Sequence, residues 1–142
     1  MTRLPPRPRV LLADDHTRLR EALRDLLEET GFEVVGESGD GADAVALARL
    51  HEPDIVVIDL RMPVLNGLDA TRLIKDARPA TQVVVLSAFE SPELERQALE
   101  AGAYAYLDKG ALARRVHRVL LAAAVQAVLA ANAAAGPEAG RG

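Results

Sequence analysis

The chain alternates between short, almost continuously apolar runs and longer segments whose apolar residues recur three and four positions apart. The longer period is typical of helices that bury one face, whereas runs rich in β-branched residues are typical of strands buried on both faces. The short runs are VLLAD, FEVVGES, DIVVID, QVVVLS and YAYLDK. We therefore predict five strands from residue 9 onward, each followed by a helix.

Capping and helix-breaking residues mark the ends of the five helical segments. Gly31 is the predicted C-cap of the first helix, and Asp40 is the predicted N-cap of the second, which stops before Pro53. The remaining boundaries are Gly67 and Pro79 for the third helix, Pro92 and Gly102 for the fourth, and a start near Ala111 for the fifth.

Strands that alternate with helices form βαβ units with right-handed crossovers, which give a mostly parallel sheet with helices on both faces. Ligands bind to such sheets outside the carboxyl ends of the strands. The second strand ends near Ser38 and contributes nothing obvious to a site. The other strand ends carry polar residues: Asp14, Asp15, Asp59, Ser87 and Lys109.

Three carboxylates at one edge of a sheet repel each other unless a cation lies among them. The chain contains no cysteine, and no suitable histidine lies at these strand ends, so the ligands would be hard oxygens. Such oxygens favour Mg²⁺, with Mn²⁺ or Ca²⁺ as alternatives, over Zn²⁺. Asp59 is then a candidate nucleophile toward a phosphoryl group, with Lys109 and Ser87 as donors to the transferred oxygens.

Four segments resemble the receiver domain of two-component response regulators: LLADDH, DIVVIDLRMPVLNGLDA, VVVLSA and ALEAGAYAYLDKG. Their sequences are most similar to those of the NarL/FixJ class. The resemblance covers residues 9 to about 122, with every signature in order. It implies an α/β, flavodoxin-like fold: one doubly wound parallel sheet with strand order 2-1-3-4-5 and helices on both faces. It also implies a signalling protein whose only chemistry is self-phosphorylation and autodephosphorylation, and which is otherwise not an enzyme.

The resemblance implies a role for each residue at the strand ends. Asp59 would be the phosphoacceptor, phosphorylated by a sensor histidine kinase or a small phosphodonor. Asp14, Asp15, Asp59 and the backbone carbonyl of Arg61 would hold Mg²⁺, with Mn²⁺ as a substitute.

The resemblance likewise implies residues that bind the phosphoryl group and respond to it. Ser87, Lys109 and the backbone amide of Ala88 would bind it, and Tyr106 would be a switch aromatic that turns inward as Ser87 moves. Arg61 and Phe89 occupy positions that tune the lifetime of the phosphate in this family. We expect the Phe89 ring to limit access of water to the phosphate.

The residue after Lys109 departs from the family pattern. Gly110 stands where many receivers have a proline and a cis bond. Since a cis bond before a residue other than proline costs about 3–4 kcal/mol, we expect this bond to be trans.

Length and charge restrict the classes of protein that need be considered. The 142 residues suffice for one domain, and the net charge of -4 argues against binding of nucleic acid through its phosphates. The N-terminus lacks the apolar segment of a secretory signal, and the apolar run Val119–Ala131 is shorter than a membrane span requires. We therefore expect a cytoplasmic protein that itself binds neither nucleic acid nor membrane.

Three regions are predicted along the chain. Residues 1–8 are rich in Pro and Arg and are expected to form a disordered arm, and residues 9–122 form the receiver domain. Residues 123–142 are an alanine-rich helical extension and flexible tail, with the helix reaching Ala135 before Gly136 and Pro137 end it. The extension fits a frayed end, a dimerising helix or the start of a linker, and the chain fits either a stand-alone receiver or a fragment.

Other functions agree less well with the residues. A flavin carrier needs a phosphate-binding loop after the first strand, where ADDHTRLR places negative charge. A phosphatase with an aspartyl nucleophile needs a second acid two residues on, where Arg61 stands. The alternative kept open is a degenerate receiver that acts, independently of phosphorylation, as an interaction or dimerisation module.

By the same resemblance, phosphorylation would reshape the face formed by the fourth helix, the fifth strand and the fifth helix. We expect this face to form a homodimer on phosphorylation and to control an output, transcription being the expected one, through an effector outside this chain.

Overall fold

The computed structural model describes residues 7–110 and 112–141, so most of the predicted disordered arm, residues 1–6, lies outside the described residues. Strands and helices alternate as predicted. The elements are β1 (Arg9–Ala13), α1 (Thr17–Glu29), β2 (Glu33–Ser38), α2 (Gly41–His51), β3 (Ile55–Asp59), α3 (Gly67–Ala77), β4 (Gln82–Ser87), α4 (Pro92–Glu100), β5 (Ala105–Asp108) and α5 (Leu112–Arg141).

The five strands form one parallel sheet in the order β2-β1-β3-β4-β5, which confirms the predicted fold class. Asp59 at the end of β3 pairs with Leu86, and Ser87 at the end of β4 pairs with Asp108. The polar residues that follow these strands therefore come out at the same edge of the sheet.

Each face of the sheet carries its own apolar core. Helices α2, α3 and α4 cover one face, where Val45, Ile74 and Ala98 join the alternate residues of the central strands. Helices α1 and α5 cover the other, where Leu27 and Leu120 are fully buried. Because β3 and β4 are buried along their whole length, they are almost continuously apolar.

The predicted helix boundaries have their physical causes in the structure. Asp40, Asn66 and Ser91 each accept a hydrogen bond from the backbone amide three residues on and so begin α2, α3 and α4. The C-cap of α1 is Thr30 rather than the predicted Gly31, which comes directly after it. Gly31 and Gly102, which follow α1 and α4, have φ angles of 99° and 106° that favour glycine. None of the described peptide bonds is cis, so the bond between Lys109 and Gly110 is trans as expected.

Helix α5 differs from the prediction in two ways. It continues to Arg141, so the predicted end at Gly136 and Pro137 is wrong. The alanine-rich segment before Gly136 has the highest helix propensity and favours a long helix.

The helix also contains a segment, Arg114–Ala133, that is long and apolar enough to cross a membrane by length and composition alone. This segment is longer than the run Val119–Ala131, so the prediction that the apolar stretch is too short to span a membrane is corrected. The inner face of the segment already packs on the sheet through Val116, Leu120 and Ala123.

Candidate functional site

Asp14, Asp15 and Asp59 form an acidic cluster at the carboxyl ends of β1 and β3. One carboxylate oxygen from each lies within 4.8 Å of the others. The contact arises because β1 and β3 are neighbours in the sheet and run in parallel. The structure thus brings together the three acids that the sequence places at separate strand ends.

Lys109, which follows β5, reaches this acidic cluster from two strands away. Its Nζ atom lies 3.1 Å from Oδ2 of Asp59, to which it donates a hydrogen bond, and 3.0 Å from Oδ2 of Asp14. Its backbone amide donates to the carbonyl of Ser87 at 2.7 Å, which fixes the start of the side chain beside the end of β4.

Within the acidic cluster, burial has the largest effect on the pKa of Asp59. Asp14 is 2% exposed and Asp59 is 6% exposed, whereas Asp15 is exposed. Burial raises the pKa of Asp59 above its usual range and the charge of Asp14 raises it further, while the hydrogen bond from Lys109 lowers it only in part. For Lys109, burial lowers the pKa, but the carboxylates of Asp14 and Asp59 together outweigh burial and leave the pKa raised.

The acidic cluster fits a hard divalent cation. Oδ2 of Asp14 is buried, and the cation beside it is Nζ of Lys109 at 3.0 Å, which also contacts Oδ2 of Asp59. One ammonium shared by two buried carboxylates leaves net negative charge in the acidic cluster, which a coordinated cation would offset. Asp14, Asp15 and Asp59 supply only oxygen ligands, the set that Mg²⁺ and Mn²⁺ prefer.

Ser87 and Ala88 lie at the end of β4, next to the acidic cluster. Ser87 is buried, and its hydroxyl oxygen accepts a hydrogen bond from the backbone amide of Phe89 at 3.1 Å. The hydroxyl is therefore bound to its own loop. Ala88, whose backbone amide is predicted to donate a hydrogen bond to the phosphoryl group, is exposed.

Arg61 and Phe89 contact each other from loops that follow neighbouring strands. The guanidinium carbon of Arg61 lies 5.4 Å from the centre of the Phe89 ring, which is 53% exposed. The backbone amide of Arg61 lies 3.4 Å from Oδ1 of Asp59 as a long hydrogen bond. The cation and the ring thus connect the loop that follows Asp59 with the loop that follows Ser87.

Tyr106 is buried in β5, and its hydroxyl donates to the backbone carbonyl of Phe89 at 2.6 Å. The side chain therefore already points inward, the position that the resemblance implies for the phosphorylated state, and it holds the loop between β4 and α4. Tyr106, Phe89 and Ser87 are linked through this loop by hydrogen bonds.

The loop between β3 and α3 closes tightly beside Asp59. The amide of Gly67 donates to the carbonyl of Leu60 at 2.8 Å, and a Cβ atom at position 67 would come within 2.4 Å of the Asp59 carbonyl oxygen. Only glycine allows this approach. The chain therefore turns sharply between Asp59 and Gly67.

The end of β2 contributes more than the sequence predicts. The backbone amide of Asp14 donates to the carbonyl of Ser38 at 3.0 Å, and Glu37 pairs with Arg20, whose guanidinium also contacts the carbonyl of Asp14. This strand end therefore makes contacts with the turn after β1 that are not obvious from the sequence. The only signal in the sequence is an arginine in the first helix, Arg20, and a glutamate in the second strand, Glu37. Their contact depends on the register of β1 with β2.

Comparison with known proteins shows the family to which the chain belongs. The model of the response regulator receiver domain matches residues 10–121. The transcriptional regulatory protein PdtaR of Mycobacterium tuberculosis is 48% identical over 101 residues, which are 71% of this chain and 49% of that protein. The chain thus spans about half the length of the curated relatives it matches.

Solved structures share the fold. The receiver domain of the response regulator NarL from Mycobacterium tuberculosis superposes with a TM-score of 0.80 at 33% identity, over 84% of this chain and 98% of that one. The CheX–CheY–BeF3–Mg+2 complex from Borrelia burgdorferi superposes with a TM-score of 0.73 at 26% identity, over 80% of this chain and 89% of that one.

Proposed function

Because this chain belongs to the response regulator receiver domain family, we propose that it accepts a phosphoryl group on Asp59 in a Mg²⁺-dependent reaction. The donor would be a sensor histidine kinase or a small phosphodonor. The observation that carries the proposal is the contact of Lys109 with Asp59 beside the carboxylates of Asp14 and Asp15.

In the proposed reaction a carboxylate oxygen of Asp59 forms a bond to phosphorus as the bond between phosphorus and the donor breaks. Asp14, Asp15, Asp59 and the backbone carbonyl of Arg61 would hold Mg²⁺, which when bound offsets negative charge on the phosphoryl oxygens. The CheY structure described with BeF3 and Mg+2 supports this choice of metal.

Lys109, Ser87 and the amide of Ala88 would bind the transferred group. The Nζ atom of Lys109 already contacts Asp59 and has protons to donate to a phosphoryl oxygen bonded to it. For Ser87 to donate, its hydroxyl would turn from the amide of Phe89 toward the phosphoryl group.

This movement of Ser87 would be the first step of the switch. The loop from Ser87 to Phe89 is also held by the hydroxyl of Tyr106, so a shift of Ser87 bears directly on the position of the ring. Phosphorylation would then favour one of two pre-existing arrangements of the face formed by α4, β5 and α5. We propose that this face forms a homodimer in the phosphorylated state.

Arg61 and Phe89 would set the lifetime of the phosphate. The pair lies on the two loops that flank Asp59, where a ring held by a cation restricts the approach of water. Loss of either side chain would open this approach.

The output would be control of transcription by a separate or attached effector in the cytoplasm. The relatives that support this are named as transcriptional regulatory proteins, and this chain spans about half of their length.

Intact mass measurement tests the proposal. Wild-type protein incubated with Mg²⁺ and a small phosphodonor should gain one phosphoryl group, and neither the Asp59→Asn variant nor a sample without Mg²⁺ should gain it. If the folded protein gains none from a small donor or from a histidine kinase, the phosphorylation-independent interaction module becomes the better account.

A further inference from the structure

We propose that Arg20 is a positioning residue for the turn formed by Asp14 and Asp15, and that Glu37 at the end of β2 holds it in place. The inference rests on the proposed function, because it concerns a residue that serves the same metal site without touching the metal or the phosphoryl group. Arg20 lies in α1 and belongs to none of the strand-end motifs.

The guanidinium of Arg20 connects two separate segments of backbone. Its Nη1 atom donates to the backbone carbonyl of Asp14 at 2.5 Å and lies 3.5 Å from the carbonyl of Ser38. Its Nε atom donates to Oε1 of Glu37 at 3.1 Å. One side chain thus fastens the turn after β1 to the end of β2.

The bond to the carbonyl of Asp14 fixes the peptide plane between Asp14 and Asp15. A peptide group is planar, so a fixed oxygen also fixes the direction in which the Cα atom of Asp15 leaves the turn. The Asp14 side chain is buried, and its Oδ1 accepts a hydrogen bond from the amide of His16 at 2.8 Å. Asp15 is exposed, so the position of its carboxylate depends on the backbone that Arg20 holds.

Glu37 binds both Arg20 and a second arginine, Arg24, which serves as the control. Its second oxygen, Oε2, accepts a hydrogen bond from Nη1 of Arg24 at 3.0 Å, so one carboxylate pairs with two arginines. The Arg20 side chain is half as exposed as that of Arg24, at 18% against 36%. Arg24 shares the ion pair and also pairs with Asp25 and Glu28, which makes it a matched control for loss of charge.

Charge and position predict opposite effects on Mg²⁺ binding. A cation close to the acidic cluster repels a second cation, so if Arg20 acted through charge alone, its neutralisation would tighten the binding of Mg²⁺. If Arg20 positions Asp15, its loss would weaken the binding despite the removal of a positive charge. The sign of the change therefore separates the two roles.

Titration of the full chain with Mg²⁺ tests the inference, by calorimetry and by the backbone amide signal of Asp15 in NMR spectra. Arg20→Gln should weaken Mg²⁺ binding by roughly tenfold or more, as loss of an outer partner of a metal ligand does. Arg20→Lys keeps the charge but replaces the planar guanidinium, whose Nε and Nη1 atoms bind Glu37 and Asp14 at separate points, with a single nitrogen, so it should also weaken binding and shift the Asp15 signal in the metal-free protein. Arg24→Gln should change neither.

Other results would overturn the inference. Equal or tighter binding by the folded Arg20 variants, or equal weakening by Arg24→Gln, would remove the positioning role while leaving the proposed function intact. If Arg20→Gln fails to fold in thermal unfolding experiments, Arg20→Lys decides. A wild-type protein that binds no Mg²⁺ would instead overturn the proposed function and this inference with it.

Discussion

The Nζ atom of Lys109 lies between two buried carboxylates, 3.1 Å from Oδ2 of Asp59 and 3.0 Å from Oδ2 of Asp14. One ammonium does not offset the burial of both acids, because the pKa of Asp59 is still raised, first by burial and then by the charge of Asp14. Ionised Asp59 therefore costs the metal-free protein stability, and a divalent cation in the acidic cluster would relieve that cost.

This cost predicts how the free energy of unfolding of the metal-free protein depends on pH. The pKa of Asp59 is higher in the folded state, so the unfolded state ionises first as the pH rises from the ordinary value of 3.8. Across the window up to the folded pKa, Asp59 lowers the free energy of unfolding, and above it the loss is constant. Asp59→Asn lacks this loss, so the variant should gain stability relative to wild type as the pH rises through the window.

Denaturant unfolding at a series of pH values measures this difference, and a difference that shrinks with rising pH would contradict the account. Mg²⁺ added at neutral pH should then stabilise the wild type, by about 2.7 kcal/mol at a hundred times the dissociation constant. Asp59→Asn, with one ligand fewer, should be stabilised less at the same concentration.

The hydroxyl of Tyr106 holds the loop that carries Phe89. Tyr106→Phe removes this hydrogen bond and leaves the Phe89 carbonyl without that donor, so the free energy of unfolding should fall by about 1 kcal/mol. The other tyrosine, Tyr104, is partly exposed, and Tyr104→Phe is the matched control with little expected change. Urea unfolding compares the two, and equal effects would mean that the hydroxyl of Tyr106 does not stabilise the loop.

The ring of Phe89 contacts the guanidinium of Arg61, which follows Asp59 by two residues. Phe89→Ala removes the ring, and Arg61→Ala removes the cation–π contact of about 0.5–1 kcal/mol that holds it. Each variant should therefore lose the phosphoryl group a few-fold faster. The rate follows from the decay of phosphorylated protein by intact mass. Leu99→Ala, at a residue of similar exposure on α4, is the control, and an unchanged rate in Phe89→Ala would exclude the ring from this role.

Phosphorylation should change the oligomeric state. Light scattering with Mg²⁺ and beryllofluoride, a mimic of the phosphoryl group, should show a dimer, whereas the untreated protein should be a monomer. Asp59→Asn should remain a monomer under both conditions. A wild type that stays monomeric with the mimic bound would refute the dimer.

The fold is predictable from the sequence because local signals agree with the tertiary structure. QVVVLS forms β4 over the same residues, and Asp40 caps the predicted helix, since continuous β-branched runs and capping side chains act over a few residues. The acids and Lys109 are predictable for a related reason: in a parallel sheet, residues that follow the strands must meet at one edge.

The contact between Arg20 and Glu37 could not be predicted in the same way. It depends on the register of β1 with β2, which shifts between Val10 and Leu11, and on the orientation of a helix against that pair. The continuation of α5 to Arg141 could not be predicted either, because glycine and proline ordinarily end a helix.

The position of the phosphoryl group tests the central claim most directly. Borohydride reduces an aspartyl phosphate to homoserine, so phosphorylated protein can be reduced, digested and mapped by tandem mass spectrometry. The account predicts homoserine at position 59 alone, dependent on Mg²⁺ during phosphorylation. Homoserine at Asp14 or Asp15, or an unmodified Asp59 in protein that carries a phosphoryl group, would contradict it.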